Sequence, residues 1–396
     1  MPMTVATTSV PLLDLKAQHA TMRSEIADAI AEVVESQWFI MGPNVSALEE
    51  EVAEYVGVKH AIGCGSGSDA LLLALMAVGV GHGDEVLCPS YTFFATAGAI
   101  YRLGAKPVFV DLDPTTYNIC TKSTREKAAT CTNLKAIIPV HLYGQSCDLD
   151  GIIALADDLQ IPVIEDAAQA IGTKDTKGNM VGTRGLMGCF SFFPSKNLGG
   201  YGDGGIITTN DDATAEMLRV LRVHGSKPKY YHKFAGVNSR LDAIQAAVLR
   251  VKLPYLESWH EGRAKNAALY TELFHGAGAI TSDNALSTDG FQLRTPLAPD
   301  APARHIYNQY CIRVPATLRD ELRDHLKSND IGTEVYYPVP LHMQDCFAEL
   351  GCKEGDLPNT ESAALETLAL PIYPELSEEQ VRYVATTVID FVNSRS

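Results

Sequence analysis

His60-Ala-Ile-Gly-Cys-Gly-Ser-Gly-Ser-Asp-Ala-Leu71 runs from a short apolar strand through a glycine-rich loop into a helix that reads as Asp69 to Val80. The same alternation continues downstream. Glu85-Val-Leu-Cys is a strand, Ala95 to Leu103 a helix, Pro107-Val-Phe-Val-Asp111 a strand and Leu134 to Leu142 another. Leu149 to Leu159 then reads as a helix and Pro162-Val-Ile-Glu-Asp166 as a strand. Strands and helices in this order imply right-handed crossovers and a mostly parallel sheet covered on both faces. Upstream, Asp14 to Glu35 has helical spacing, and a second helix follows Gly42-Pro43-Asn44 with Asn44 or Ser46 as its cap.

Beyond Asp166 the glycines at 178, 182, 185 and 188 punctuate short strands, ending in Phe190-Ser-Phe-Phe and Gly204-Gly-Ile-Ile-Thr-Thr, which read as antiparallel additions to the sheet. Arg240 to Leu253 is a long helix stopped near Pro254, and Trp259 to Leu273 leads out of the large domain. Strands around Tyr307 to Val314 and Gly332 to Tyr337, with helices at Leu318 to Lys327 and Ser377 to Val392, make a smaller α+β domain. The division expected is a large domain over 1–255 and a small one over 256–396, consistent with roughly 150 residues per domain.

The chain of 396 residues carries 48 acidic and 32 basic side chains, a net charge of −16. No stretch supplies the basic face that a polyanion needs, which argues against nucleic-acid and acidic-membrane partners. The longest apolar run, Ala70 to Val80, is about half of the roughly 20 residues that a membrane span requires. No secretory signal is read at the start. Nine cysteines without a C-x-x-C pair fit thiols in a reducing cytosol rather than a disulfide framework or a metal site. A cytoplasmic protein without a metal is the expectation.

Three elements carry chemistry. The backbone amides of the loop at Gly63–Asp69 and the dipole of its helix suit a phosphate; a bare structural turn fits the glycines too. A dinucleotide loop fits less well, because the third glycine of G-x-G-x-x-G falls on Ser68. In Ile161-Pro-Val-Ile-Glu-Asp-Ala-Ala-Gln-Ala, Asp166 and Gln169 stand at the carboxyl end of a buried strand, where open α/β sheets bind ligands. Asp166 there suits a cationic ring nitrogen or, alternatively, a helix cap. In Phe190-Ser-Phe-Phe-Pro-Ser-Lys-Asn-Leu-Gly-Gly-Tyr-Gly-Asp-Gly-Gly, Lys196 leaves an aromatic strand for a glycine-rich loop. A desolvated lysine in that place condenses with a carbonyl, whereas a solvated one does nothing.

Taken together, a phosphate cradle, a carboxylate for a pyridinium and an amine for an aldehyde are the three attachments of pyridoxal 5'-phosphate. The sequence resembles the DegT/DnrJ/EryC1/StrS family of sugar aminotransferases, within the aspartate-aminotransferase fold. Further matching stretches are Pro89-Ser-Tyr-Thr-Phe-Phe-Ala-Thr, Pro139-Val-His-Leu-Tyr-Gly, His224-Gly and Asn238-Ser-Arg-Leu-Asp-Ala-Ile-Gln-Ala-Ala. Tyr336-Tyr-Pro-Val-Pro-Leu-His and Leu370-Pro-Ile-Tyr-Pro-Glu-Leu complete the set.

The resemblance implies fold type I: an α/β large domain, whose mostly parallel seven-stranded sheet is flanked by helices, and a smaller α+β C-terminal domain. It implies that Lys196 forms the Schiff base, Asp166 pairs with the pyridine nitrogen, Gln169 lies by the ring hydroxyl and Phe93 stacks on the ring. Gly67 and Ser68 amides and the Ser191 hydroxyl would hold the phosphate, and Asn238 would reach the phosphate of a neighbouring subunit, making a homodimer with shared sites. Lysine at 196, where dehydrating relatives carry histidine, favours transamination.

L-glutamate is the amino donor implied, and a 3-keto or 4-keto sugar on a nucleoside diphosphate the acceptor. For the diphosphate, Lys227, Lys229 and Lys233 in the basic and aromatic stretch 224–233 are expected to form a mobile lid, although a solvated loop fits them too. Tyr336, Tyr337 and His342 are candidates to face the sugar. His141 suits either a cofactor or substrate contact or a hydrogen-bonded core position. An amino-acid lyase or another aminotransferase of the same fold, and more remotely a nicotinamide-dependent dehydrogenase, stay open at this point.

Overall fold

The computed structural model of the protein describes residues 9–281 and 290–395. Asp14 caps α1 (Leu15–Ser36) by accepting from the amides of Lys16 and Ala17. Helix α2 (Pro43–Val56) begins with its proline in the first turn and Gly42 as N-cap. Neither Asn44 nor Ser46 caps it; Asn44 Oδ1 accepts from Arg250 at 2.8 Å instead. Then follow β1 (His60–Cys64), α3 (Gly67–Ala77), β2 (Glu85–Pro89), α4 (Ala95–Arg102), β3 (Lys106–Val110), α5 (Thr121–Ala128) and β4 (Leu134–Ile137). Next come α6 (Leu149–Leu159), β5 (Ile164–Asp166), β6 (Met187–Ser191), β7 (Gly205–Thr209), α7 (Asp212–Leu221), α8 (Ala243–Lys252) and α9 (Leu256–Gly276). The chain closes with β8 (Tyr310–Arg313), α10 (Ala316–Ser328), α11 (Pro358–Glu366), β9 (Thr367–Leu370) and α12 (Glu378–Asn393).

Strands β3, β2 and β4 pair in parallel, as do β5 and β6, whereas β7 runs antiparallel to both β6 and β1. Only β7 therefore reverses; β6, expected as an antiparallel addition, continues the parallel set. Two parallel bridges, Ile137 to Val163 and Val140 to Asp166, join the two groups into the spatial order β3-β2-β4-β5-β6-β7-β1. The strand expected to reach Leu142 stops at Ile137 because Pro139 has no amide to continue the ladder. Pairing survives beyond it through Asp166 N to Pro139 O at 2.8 Å and His141 N to Asp166 O at 3.0 Å.

Side chains alternate across the sheet. Leu87, Val110, Ile137, Phe190 and Ile206 pack under α1, α2, α6 and α8. Val86, Cys88, Phe109, Ala136, Ile164, Met187 and Ile207 pack under α3, α4 and α7. A sheet buried on both faces leaves only its strand ends open to a ligand. A third core gathers α9, β8, α10, β9 and α12. Helix α9 runs across the expected division at 255/256: Leu256 and Trp259 pack in the large core and Tyr270 and Phe274 in the small one. Val10, near the other end of the chain, also joins the small core and bridges Ile331.

The expected strand at Gly332–Tyr337 is absent. That segment crosses β9 and meets it at one bridge, Glu334 to Ala369, before turning away. Ser377 and Gln380 cap α12 reciprocally in a capping box.

Glycines make the closest sheet contact. A Cβ on Gly188 would lie 2.3 Å from the Cα of Gly182 and 2.6 Å from Thr208 Oγ1, whereas one on Gly81 would meet nothing within 4 Å. Gly188→Ala is expected to destabilise the fold by about 3 kcal/mol or to prevent folding, and Gly81→Ala to stay within about 0.5 kcal/mol of the parent in urea unfolding.

Candidate active site

A cavity of about 580 Å³ opens at the carboxyl ends of β1, β5 and β6. Gly67, Ser68, Phe93, Asp166, Gln169, Ser191, Lys196, Tyr336 and Tyr337 all line it. Lys227, Lys229, Lys233, Asn238 and His342 do not.

At one end, Ser66 caps α3 by accepting from Asp69 N at 3.1 Å. The cap leaves the amides of Gly67 and Ser68 in the first turn without a partner among the described residues. Ser191 comes against this turn so tightly that a Cβ on Gly67 would lie 2.6 Å from its Cβ. Ser239, which no sequence signal singled out beyond its place in the Asn238–Ala247 stretch, braces the loop from outside. Its Oγ accepts from Gly65 N at 3.0 Å and donates to Asp69 Oδ2 at 2.9 Å.

Asp166 ends β5 with its side chain 5% exposed as a residue. Thr96 donates to its Oδ2 at 2.8 Å and the amide of Ala168 to its Oδ1 at 3.2 Å. Burial raises its carboxyl above the usual range, opposed by those two donors and by the Lys196 charge. Asp166 is thus a buried carboxylate rather than a helix cap. Burial lowers the Lys196 amine to about 8, with Asp166 pulling the other way. A neutral, nucleophilic amine is therefore within reach near neutral pH.

Gln169 is held at both ends: Oε1 accepts from Tyr143 N at 2.7 Å and Nε2 donates to Tyr337 Oη at 3.1 Å. Phe93 is 57% exposed, and its ring lies 6.3 Å from that of Tyr337. His141 proves to be a core residue, its Nε2 2.9 Å from Glu165 Oε2, with both side chains fully buried. Burial by itself would raise Glu165, but the His141 contact and the amides of Gly182 and Gly185 hold it below the usual carboxylate range.

Tyr336 and Tyr337 arrive from the segment between α10 and α11, fixed by two buried tyrosines that follow β2 and β4. Tyr91 Oη donates to the Tyr336 carbonyl at 2.6 Å, and Tyr143 Oη donates to the same oxygen. His342 is drawn away from the cavity: its Nδ1 lies 2.7 Å from Ser90 Oγ and its Nε2 3.2 Å from Glu361. Lys227, Lys229 and Lys233 are exposed. Lys227 pairs with Glu216, and Lys229 lies 5.1 Å from the centroid of the Tyr230 ring. Asn238 is also exposed, bridging Val223 through its backbone.

Among the described residues no group of His, Cys, Asp and Glu is placed to hold a metal ion, and no helix is long and apolar enough to cross a membrane.

A desolvated lysine, a buried carboxylate and an open helix N-terminus converging on strand ends define an aminotransferase-like site, and residues 20–389 match the DegT/DnrJ/EryC1/StrS aminotransferase family. The chain belongs to that family, whose members depend on pyridoxal phosphate. It is 52% identical to the pleiotropic regulatory protein of Geobacillus stearothermophilus over 97% of this chain and 98% of that protein. It is 43% identical to the UDP-N-acetyl-3-dehydro-α-D-glucosamine 3-aminotransferase of Acidithiobacillus ferrooxidans, over 96% and 97% of the two chains. The crystal structure of DesV from S. venezuelae, in complex with a ketimine intermediate, superposes with a TM-score of 0.89. That pair is 39% identical, with 97% of this chain and 98% of the other covered.

Labelling of Lys196 by an amine-reactive reagent in the cofactor-free protein is expected to rise with pH to a midpoint near 8. Because the Asp166 charge holds the amine up, Asp166→Asn is expected to move that midpoint lower. Peptide mass spectrometry across a pH series reads both.

Proposed function

We propose that the protein is a pyridoxal-phosphate-dependent aminotransferase that moves an amino group from L-glutamate to a 3-keto or 4-keto sugar carried on a nucleoside diphosphate. The observation that carries this reading is the convergence of Lys196, Asp166 and the open first turn of α3 in one cavity. The curated relative acting on a UDP-linked 3-keto sugar supports a keto sugar nucleotide over a free amino acid as the second substrate.

The residues present fit the cofactor. The unpaired amides of Gly67 and Ser68, with the Ser191 hydroxyl pressed against them, form a cradle for a phosphate dianion. Asp166, anchored by Thr96, would hold a ring nitrogen protonated, Gln169 would lie by the ring hydroxyl and Phe93 would cover a ring face. Pyridoxal phosphate, when bound, supplies an aldehyde for the amine and a ring that accepts the electron pair released at the substrate carbon. Lys196 would be the amine that holds the aldehyde. Its Nζ would also be the base that moves a proton at the donor's α-carbon. Tyr337, half-buried in the cavity wall with its hydroxyl kept protonated by desolvation, offers a donor to the same space.

The partner-dependent part of the reading rests on surface chemistry. Trp38, Phe39 and Ile40 are 58%, 37% and 45% exposed. They lie beside the start of α8, where Ala243 N donates to Phe39 O and Ile40 bridges Asp242. An exposed aromatic face so close to Asn238 suits a homodimer in which Asn238 reaches the partner's phosphate cradle. Lys227, Lys229 and Lys233 would then serve the partner's nucleotide, since none lines the cavity of its own chain.

Loading with pyridoxal phosphate is expected to give a yellow protein whose visible band bleaches on adding L-glutamate, and Lys196→Ala to show no such band. A colourless protein would overturn the reading. Asp166→Asn is expected to lower turnover by roughly 100-fold or more.

Lys196→Ala and Asn238→Ala proteins, each deficient alone, are expected to regain activity when mixed and allowed to exchange subunits, because one site of the mixed dimer then has both residues. No recovery despite proven exchange would remove the shared-site arrangement. Triple alanine replacement of Lys227, Lys229 and Lys233 is expected to raise KM for the sugar nucleotide; an unchanged KM would rule the lid out.

A further inference from the structure

Lys252 closes α8 and is 2% exposed, yet it makes no ion pair among the described residues. Burial lowers its amine to about 8, with Glu375 pulling the other way from a distance. An apolar side chain of similar length would fill the place without that desolvation cost. The buried charge is answered instead by the loop that carries Lys196. Its Nζ donates to Gly199 O at 2.7 Å and stands 4.8 Å from the centroid of the Tyr201 ring.

That loop closes on itself. Phe192 N donates to Gly204 O and Gly200 N to Phe192 O, both at 2.8 Å, with Lys196 between the two closures. Gly199 folds against Pro194, whose carbonyl oxygen would lie 2.3 Å from a Cβ there. Backbone so rich in glycine costs extra entropy to order, and two side chains of α8 supply the fixing. Gln245 Oε1 accepts from Tyr201 N at 2.7 Å, and its amide occupies the space that a Cβ on Gly200 or Gly202 would need, at 2.9 Å from each. Gln245 and Lys252 stand about two turns apart on one face of α8, and Ala246 and Leu249 seat that helix in the large core. His19 from α1 adds an outer hold, its Nδ1 2.6 Å from Tyr201 Oη.

We propose that Lys252 and Gln245 are positioning residues that hold the Phe192–Gly204 loop against α8 and so present the Lys196 amine at a fixed place in the cavity. Neither lines the cavity, so both act through the backbone at Gly199 and Tyr201. A flexible side chain is placed only as well as the backbone that carries it, and a misplacement of about 1 Å costs a reacting group roughly 100-fold. The inference rests on Lys196 being the reacting amine of the reading above and says what holds it there.

The test uses full-length Lys252→Met, Lys252→Arg and Gln245→Leu proteins and two probes, pyridoxal phosphate and pyridoxamine phosphate. The probes share the phosphate and the ring, but only the aldehyde can be captured by a lysine. Growth of the visible band after mixing with pyridoxal phosphate is expected to slow about tenfold or more in Lys252→Met and Gln245→Leu, while Kd for pyridoxamine phosphate changes less than about twofold. In the cofactor-free proteins a loosened loop admits water to Lys196, so its labelling midpoint is expected to rise by about one pH unit from near 8 toward the ordinary 10.5. Gln245→Leu changes no charge, which separates loosening from loss of the Lys252 charge. Lys252→Arg keeps a buried cationic donor and is expected to recover most of the capture rate. Val388→Ala, which opens the small core away from the loop, is expected to lose stability with no shift in midpoint or capture rate.

A labelling midpoint and capture rate left at the parent's values in Lys252→Met overturn the inference, and so does a parallel loss of affinity for both probes, which marks general damage. Should Lys252→Met not fold, Gln245→Leu decides by the same two readings. A Lys196→Ala protein that still gives the visible band overturns the assignment of the reacting amine, and this inference with it.

Discussion

A carboxylate at the end of a strand buried on both faces is stable only while something answers its charge, and much of this molecule is arranged around Asp166. The strand end gives it almost no water. Thr96 from α4 and the amide of Ala168 supply neutral donors, and Lys196 supplies the opposite charge. Two neutral donors and one distant cation leave the carboxylate above its usual range, a group under strain that a protonated ring nitrogen would relieve. The same burial that strains Asp166 lowers Lys196. One desolvated space therefore moves both groups away from their usual charge states.

The neighbouring carboxylate shows what full compensation looks like. Glu165 points to the opposite face, where His141 and the amides of Gly182, Arg184 and Gly185 occupy its two oxygens. Adjacent residues of one strand alternate sides, so two buried carboxylates meet opposite fates. Glu165 is saturated and ties the loop after β5 to the sheet; Asp166 is left partly answered beside the cavity.

Buried hydroxyls then set the position of the segment that carries Tyr336 and Tyr337. Tyr91 and Tyr143 are fully enclosed, and each must find an acceptor. Both choose the carbonyl of Tyr336, and Tyr91 Oη also lies 2.6 Å from Thr367 Oγ1. That clamp carries Tyr336 and Tyr337 to the cavity and, two residues earlier in the chain, Glu334. That wall of the cavity is thus placed by hydrogen bonds from residues outside it. Packing at the other end follows the same economy: Gly67 lacks a side chain because Ser191 occupies the space.

Much of the fold was legible in the residues alone, because alternation of strands and helices, glycine-rich loops and a lysine after an aromatic strand are local signals. Composition and order brought out the alternation of the sheet and singled out the loop at Gly63–Asp69, Asp166, Gln169 and Lys196 as candidates; Ser191 and Phe93 entered only through the family resemblance. Contacts decided the rest. Thr96 and Ser239 lie 70 and 170 residues from the carboxylates they bind, and no periodicity connects positions so far apart. His342 looked like a sugar contact until Ser90, 252 residues away, drew it into the core. Local free energies choose helix, strand and turn, and these are written in neighbouring residues. Which polar groups are left unpaired beside a ligand depends on how distant segments pack, and only the folded chain determines that.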